Sequence, residues 1–149
     1  MIVAQRKSIP DLLAIVKSHK KILVLGCGTC VTVCLAGGQR KVGIIASALR
    51  MAAKLKNLAL EVEELTIERQ CDNVFIEQAA EAIKRNEAVL SVGCGAGVQA
   101  VAERYAGKPV YAGLDTAFIG ILEERGVWTE KCAACGACVL HQYGGICPI

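Results

Sequence analysis

Short apolar runs that end in glycine mark the first two thirds of the chain. Residues 21–26 (Lys-Ile-Leu-Val-Leu-Gly) and residues 88–92 (Ala-Val-Leu-Ser-Val) are almost wholly apolar, and a glycine closes or follows each run. Strands that are buried on both faces of a parallel sheet have this composition, because neither face meets water. Residues 60–67 alternate apolar side chains with glutamates, which predicts a strand nearer the sheet edge. Residues 108–112 predict a fourth strand.

Helical periodicity occupies the segments between these strands. Residues 10–18 predict a short amphipathic helix, and residues 37–57 predict a longer one that opens with a Gly-Gly pair. The apolar stripe expected to be buried in the longer helix is Val42, Ile45, Ala46, Leu49 and Ala53. Residues 72–83 predict another helix, with Asp72 or Asn73 as its N-cap.

Two further helices are predicted over residues 98–105 and residues 118–124. Strands that alternate with helices at this spacing indicate an α/β fold. We expect a parallel, Rossmann- or flavodoxin-like sheet of about four strands, with helices on both faces and right-handed crossovers. This α/β domain should comprise residues 1–127. Residues 128–149 should form an irregular, cysteine-rich metal lobe.

Composition narrows the class of protein. The chain has 149 residues, 54% of them hydrophobic, and a net charge of +3, which is typical of a globular domain with its own core. No stretch combines basic and aromatic residues as RNA-binding surfaces do, so no nucleic-acid partner is expected. The uncharged residues 22–38 are broken by glycines and cysteines, so direct membrane insertion is not expected either.

The nine cysteines indicate a reducing environment. Their number is odd, their spacings resemble those of metal ligands, and the N-terminus lacks the apolar core of a signal peptide. Disulfide frameworks belong mainly to small secreted proteins, so we expect free thiols and a cytoplasmic location.

The C-terminal tail has the most informative cysteine pattern. It reads Cys132-Ala-Ala-Cys135-Gly-Ala-Cys138, and Cys147-Pro148 follows. Three cysteines at C-x₂-C-x₂-C spacing with a later Cys-Pro are typical of a [4Fe–4S] cluster, because one tight loop can reach three corners of the cubane. Zinc sites use overlapping spacings, so structural zinc is the alternative cofactor.

A second set of cysteines follows the predicted strands. Cys27, Cys30 and Cys34 lie after the first strand and Cys94 lies after the third. The carboxyl ends of parallel strands share one edge of a sheet, so these four thiols should converge if the two strands are neighbours. Cys71 also follows a strand and competes for the fourth position.

Other motifs are weaker. Gly26-x-Gly28 and Gly93-x-Gly95 resemble half of a dinucleotide-binding fingerprint, but valines occupy the third glycine position in both. His141 lies between two tail cysteines, so it could bind the metal. A position near the metal without binding it, or an exposed position, is the simpler interpretation.

Together, the motifs resemble a known family. The motifs in residues 25–38, 93–99, 132–140 and 144–148 are similar to those of the iron–sulfur small subunit of acetogen-type methylenetetrahydrofolate reductase. The resemblance extends over about residues 21–148, and it includes the domain described as the methylenetetrahydrofolate reductase C-terminal domain. Longer members continue with another cysteine and a glycine-rich end, so the resemblance leaves two candidates for the fourth tail ligand, Cys147 and that later cysteine.

The resemblance implies both a role and partners. The large subunit of these enzymes is a flavin-containing barrel that reduces methylenetetrahydrofolate in the Wood–Ljungdahl pathway of one-carbon metabolism. The present chain would be a non-catalytic subunit that receives electrons from an upstream donor protein and relays them to that flavin. Carried over by position, the metal ligands are Cys132, Cys135, Cys138 and Cys147 in the tail, and Cys27, Cys30, Cys34 and Cys94 in the strand loops.

Three hypotheses therefore remain open at the level of sequence. The first is an electron-transfer subunit with one or two [4Fe–4S] clusters. The second is a zinc-stabilised interaction module of the same complex without a redox role. The third is a nucleotide-binding or redox enzyme in its own right, which would bind its cofactor between Gly26 and Gly38.

Overall fold

Seven strands and six helices follow one another along the chain. The structure, a computed structural model, describes residues 1–149. The strands are β1 (Ile2–Arg6), β2 (Lys21–Cys27), β3 (Glu61–Ile67), β4 (Ala88–Val92), β5 (Val110–Ala112), β6 (Leu114–Glu124) and β7 (Val127–Cys132). The helices are α1 (Ile9–Val16), α2 (Cys30–Val33), α3 (Gln39–Leu55), α4 (Asn73–Glu77), α5 (Ala80–Arg85) and α6 (Gly95–Arg104), and a single 3-10 turn spans Leu140–Gln142.

A four-stranded parallel sheet forms the centre of the molecule. Its strand order is β3-β2-β4-β5, and every neighbouring pair is parallel. Each of the four predicted strands is present, and the glutamate-rich β3 lies at an edge as its alternating pattern predicted. The central pair, β2 and β4, is apolar because helices cover it on both sides.

Alternate residues of the central strands face two separate cores. Ile22 and Val24 of β2 pack with α1 and α3, whereas Leu23 and Leu25 pack with α4, α5 and α6. All five residues of the predicted stripe on α3 are buried. The prediction of an α/β fold with helices on both faces of the sheet is therefore confirmed.

A second sheet was not predicted. Strands β1, β6 and β7 form an antiparallel sheet in the order β1-β6-β7. The helix predicted over residues 118–124 is wrong, because these residues belong to β6 and pair with both β1 and β7. A short apolar run does not distinguish helix from strand by itself, and here long-range pairing with the N-terminus decides. Gly120 permits this pairing, since a Cβ there would lie 2.1 Å from the Thr129 carbonyl oxygen.

Two boundaries also differ from the predictions. The helix predicted over residues 72–83 is interrupted at Gln78 and Ala79, so α4 and α5 are separate, although Asp72 caps α4 by accepting a hydrogen bond from the Val74 amide. Strand β7 continues to Cys132, so irregular chain begins at Ala133 rather than at Trp128. No helix is both long enough and apolar enough to span a membrane.

Glu63 links the edge strand to α5. Its carboxylate accepts hydrogen bonds from the Arg85 guanidinium and from the Asn86 side-chain amide. The hydrogen bond from Arg85 is the main cause that lowers the pKa of Glu63, although partial burial acts in the opposite direction. A carboxyl group whose pKa is lower in the folded state than in the unfolded state stabilises the folded protein at pH values above the unfolded pKa. This stabilisation is lost as the pH falls through the folded pKa.

We predict that Glu63→Gln lowers the free energy of unfolding at pH 7. The difference from the unchanged protein should shrink as the pH falls below the ordinary pKa of a glutamate side chain. Urea unfolding at a series of pH values measures this. Glu61→Gln is the matched control, because Glu61 is a more exposed glutamate of the same strand, 3.9 Å from Lys21. A pH-independent effect of Glu63→Gln would contradict the prediction.

Candidate metal centres

Three cysteines lie where β2, β3 and β4 end. Cys27 is the last residue of β2, Cys94 follows β4 by two residues, and Cys71 follows β3 by four. Because β2 pairs with both β3 and β4, the three segments leave the sheet at the same edge. The predicted convergence of the β2 and β4 loops is therefore present, and the β3 loop joins it. We call this edge the rim.

The Cys27 sulfur faces the segment that follows β3. Its Sγ lies 3.8 Å from the Glu68 carbonyl oxygen and 3.4 Å from the Thr29 hydroxyl. The backbone is tied in the same direction, since the Gly28 amide donates to the carbonyls of Ile67 and Glu68. Cys27 is buried, so these contacts fix the side of the rim to which its sulfur is directed.

A buried glutamine holds the β3 loop against the rim. Gln70 is fully buried, and its side-chain amide donates to the Leu25 carbonyl of β2 at 2.8 Å. Its amide oxygen accepts a hydrogen bond of 2.6 Å from the Ser91 hydroxyl of β4. A buried amide of this kind is costly to leave unpaired, so the two bonds fix the position of the loop that carries Cys71.

The glycines of the rim make room for protein side chains. A Cβ on Gly93 would lie 2.7 Å from the Gln70 amide oxygen, and one on Gly97 would lie 2.8 Å from the Gln70 Cβ. A Cβ on Gly26 would lie within 2.6 Å of both Thr66 and Val42. Internal packing thus accounts for glycine at these three positions, including two that resembled a nucleotide-binding fingerprint.

The two remaining cysteines of the predicted loop set lie at the two ends of α2, where the Cys34 amide donates a 3.0 Å hydrogen bond to the Cys30 carbonyl, but they differ in burial. Cys30 is partly exposed at the start of α2. Cys34 is buried, and its Sγ lies 3.5 Å from the Val31 carbonyl oxygen and 3.8 Å from the Ala4 carbonyl oxygen of β1. The Cys34 thiol is thus directed into the core beneath the antiparallel sheet, whereas the Cys27 thiol is directed toward the β3 loop.

The pKa of the Cys71 thiol lies above its ordinary value. Partial burial of the thiol is the largest cause, although the residue as a whole is exposed. The Cys94 and Cys27 thiols, negative when ionised, raise the Cys71 pKa further.

The tail cysteines form a second group at the end of β7. Cys132 and Cys147 line the same cavity, whose volume is about 710 Å³. Cys135 and Cys138 lie on the exposed turn between them. The backbone reverses here through positive φ angles of 54° at Ala134 and 79° at Gly136, and the Ala134 amide points toward the Cys132 sulfur at 3.4 Å.

The tail lacks the interactions that normally order a chain. No residue after Gly120 is buried, and residues 133–138 take part in no backbone–backbone hydrogen bond. Ordering a segment of this length costs conformational entropy that apolar burial usually offsets. The internal order of the tail thus rests on the few backbone hydrogen bonds between residues 139 and 146.

Strand β6 connects the two cysteine groups. The Gly95 amide, next to Cys94, donates a 2.8 Å hydrogen bond to the Thr116 hydroxyl of β6. Three residues further along, Ile119 pairs with Cys132 of β7. At the usual rise and strand spacing, Thr116 and Cys132 are separated by about 11 Å.

The donor atoms are thiols, which are the ligands that a [4Fe–4S] cluster requires. All nine cysteines are free thiols. No three His, Cys, Asp or Glu side chains lie close enough together to hold one metal ion. Each ligand of a [4Fe–4S] cluster binds a different iron, so the sulfurs stand further apart than around one ion. The soft thiolates, the tail cavity and the amide directed at Cys132 suit such a group.

Two histidines have simpler roles. The Nε2 of His19 lies 3.0 Å from the Tyr111 hydroxyl, which joins the segment between α1 and β2 to β5. His141 is exposed in the 3-10 turn.

Sequence reasoning missed Gln70, Ser91 and Thr116. No motif marks these three residues. The one available signal for Gln70 is its position, since it is an uncharged polar residue directly before Cys71 in the loop after a strand.

Comparison with known proteins gives one match. Residues 111–149 match a family model described as Methylene-tetrahydrofolate reductase C terminal. The matched segment begins in β5 and includes the β6–β7 hairpin as well as the cysteine tail. No curated protein and no solved structure matches the chain.

We predict that Gly93→Ala lowers the free energy of unfolding by about 1–3 kcal/mol, because the new Cβ would displace the Gln70 amide from Leu25 and Ser91. Urea unfolding of the purified protein measures this. Gly95→Ala is the matched control in the same loop, since its Cβ would meet only the Thr116 hydroxyl, at 3.4 Å. Equal stabilities of the two variants would contradict the role assigned to Gln70.

Proposed function

We propose that this protein is an electron-transfer subunit that binds [4Fe–4S] clusters and passes electrons to the flavin of a methylenetetrahydrofolate reductase catalytic subunit. The observation that carries the proposal is the cysteine tail. Four cysteines at cluster spacing stand in a segment that has neither a core nor backbone hydrogen bonds over residues 133–138, and that matches the reductase C-terminal family. An upstream protein supplies the electrons.

The residues of the chain bind the clusters and set their surroundings. A bound cluster supplies one-electron transfer. In the tail, Cys132, Cys135, Cys138 and Cys147 act as thiolate ligands. The Ala134 amide donates toward the Cys132 sulfur, and hydrogen bonds of this kind stabilise negative charge on the ligand and raise the reduction potential.

The relay uses the connection along β6. The rim and the tail are joined through Thr116, Ile119 and Cys132, and Thr116 lies about 11 Å from Cys132. Electrons pass between the two clusters across this connection. The folate chemistry belongs to the catalytic subunit, and this chain has a supporting role without a catalytic site of its own.

The hairpin and tail also form the surface that contacts the catalytic subunit. This short segment exposes seven large hydrophobic side chains: Ile121, Leu122, Val127, Leu140, Tyr143, Ile146 and Ile149. Exposed apolar patches typically mark interfaces. The same segment matches the reductase family, which supports a reductase as the partner.

We predict that anaerobically purified protein contains about four iron and four acid-labile sulfide per occupied site. Metal analysis with sulfide determination measures this, together with electron paramagnetic resonance after reduction. Stoichiometric zinc without iron would contradict electron transfer and would support a zinc-stabilised interaction module. Binding of a nucleotide or flavin by the isolated chain would favour an enzyme in its own right.

We predict that the double variant Cys132→Ser, Cys135→Ser loses one cluster's worth of metal, about four iron, and retains the parallel sheet. The tail contributes no buried side chain, so the circular dichroism of the α/β part should change little. Ala133→Ser with Ala137→Ser is the matched control, because both are exposed residues within the same C-x₂-C-x₂-C motif. Unchanged iron content in the cysteine variant would contradict the tail site.

A further inference from the structure

We infer that the rim site takes Cys71 as its fourth thiolate in place of Cys34, so that its ligands are Cys27, Cys30, Cys71 and Cys94. This inference rests on the proposed function, since it concerns a cluster at the rim. It differs from the ligand set carried over from the sequence motifs, which is Cys27, Cys30, Cys34 and Cys94.

The direction of the sulfurs separates the two candidates. Cys34 is buried with its Sγ toward the carbonyl oxygen of Ala4, on the side of β1. Cys27 has its Sγ toward the carbonyl of Glu68, three residues before Cys71. A cluster bound by Cys27 therefore lies on the side of the rim where Cys71 is, and Cys34 would have to leave the core to reach it.

The topology gives Cys71 a fixed place beside the other ligands. Strands β3 and β4 flank β2, so the loops after them approach Cys27 from either side. Gln70, directly before Cys71, bridges the other two strands through Leu25 and Ser91. The Gln70 side chain is fully buried and makes two hydrogen bonds, so Cys71 beside it has little freedom to move away from the rim. Gln70 is therefore the positioning residue of this site.

The backbone around Gln70 agrees with this ligand set. A Cβ on Gly93 would lie 2.7 Å from the Gln70 amide oxygen, so these two residues are in close contact. Cys94 directly follows Gly93, and Cys71 directly follows Gln70. The two cysteines therefore leave the same point of contact at the rim.

The experiment isolates the rim by removing the tail site. In the full chain with Cys132→Ser and Cys135→Ser, Cys71→Ala and Cys34→Ala are compared after anaerobic incubation with ferrous iron and sulfide. We expect the background protein and Cys34→Ala to retain about four iron each, and Cys71→Ala to retain almost none. The readouts are iron and sulfide content, visible absorption and electron paramagnetic resonance, and none of them requires a partner enzyme.

Two results would overturn the inference: retention of rim iron by Cys71→Ala, or its loss in a folded Cys34→Ala protein. If Cys34→Ala fails to fold, Cys34→Ser replaces it, because a hydroxyl can donate to the same Val31 and Ala4 carbonyls. Absence of rim iron in the background, with tail iron present in the unchanged chain, would overturn this inference alone. Absence of iron from the unchanged chain would overturn the proposed function itself.

Discussion

The parallel pairing of β2 with both β3 and β4 is the constraint on which the rest of the structure depends. It brings three chain segments out of the sheet at one edge, and each segment carries a cysteine within four residues of its strand. The pairing also creates the gap that Gln70 fills, where one amide satisfies groups on β2 and on β4. Without β2 at the centre, Cys27, Cys71 and Cys94 would have no reason to be neighbours.

The two halves of the molecule differ in what holds them together. The α/β part has two hydrophobic cores, one on each face of its sheet, and its loops are tied by buried hydrogen bonds. The chain after Gly120 contains no buried residue, and beyond Cys132 it is mostly without regular structure. A segment of this kind acquires order from a ligand or a partner, which is the physical reason for assigning metal binding and docking to the same residues.

Much of the α/β layer could be predicted because its signals are local. The apolar runs of β2 and β4, the stripe on α3 and the Asp72 cap are each visible in a short window of sequence. The antiparallel sheet could not be predicted in this way, because β6 is specified by pairing with the N-terminus and with β7. Its apolar run is equally compatible with a helix when considered alone.

Sequence by itself determined which residues are candidate ligands, since spacing and residue type single out the tail cysteines and place Cys27 and Cys94 at strand ends. Only the tertiary structure decided which segments meet. Cys34 is closer to Cys27 along the chain, yet its sulfur faces β1, whereas Gln70 holds the segment that carries Cys71, more than forty residues from Cys27, against β2. The reason is that ligand direction depends on strand order and on buried hydrogen bonds between distant segments, and neither is encoded in local spacing.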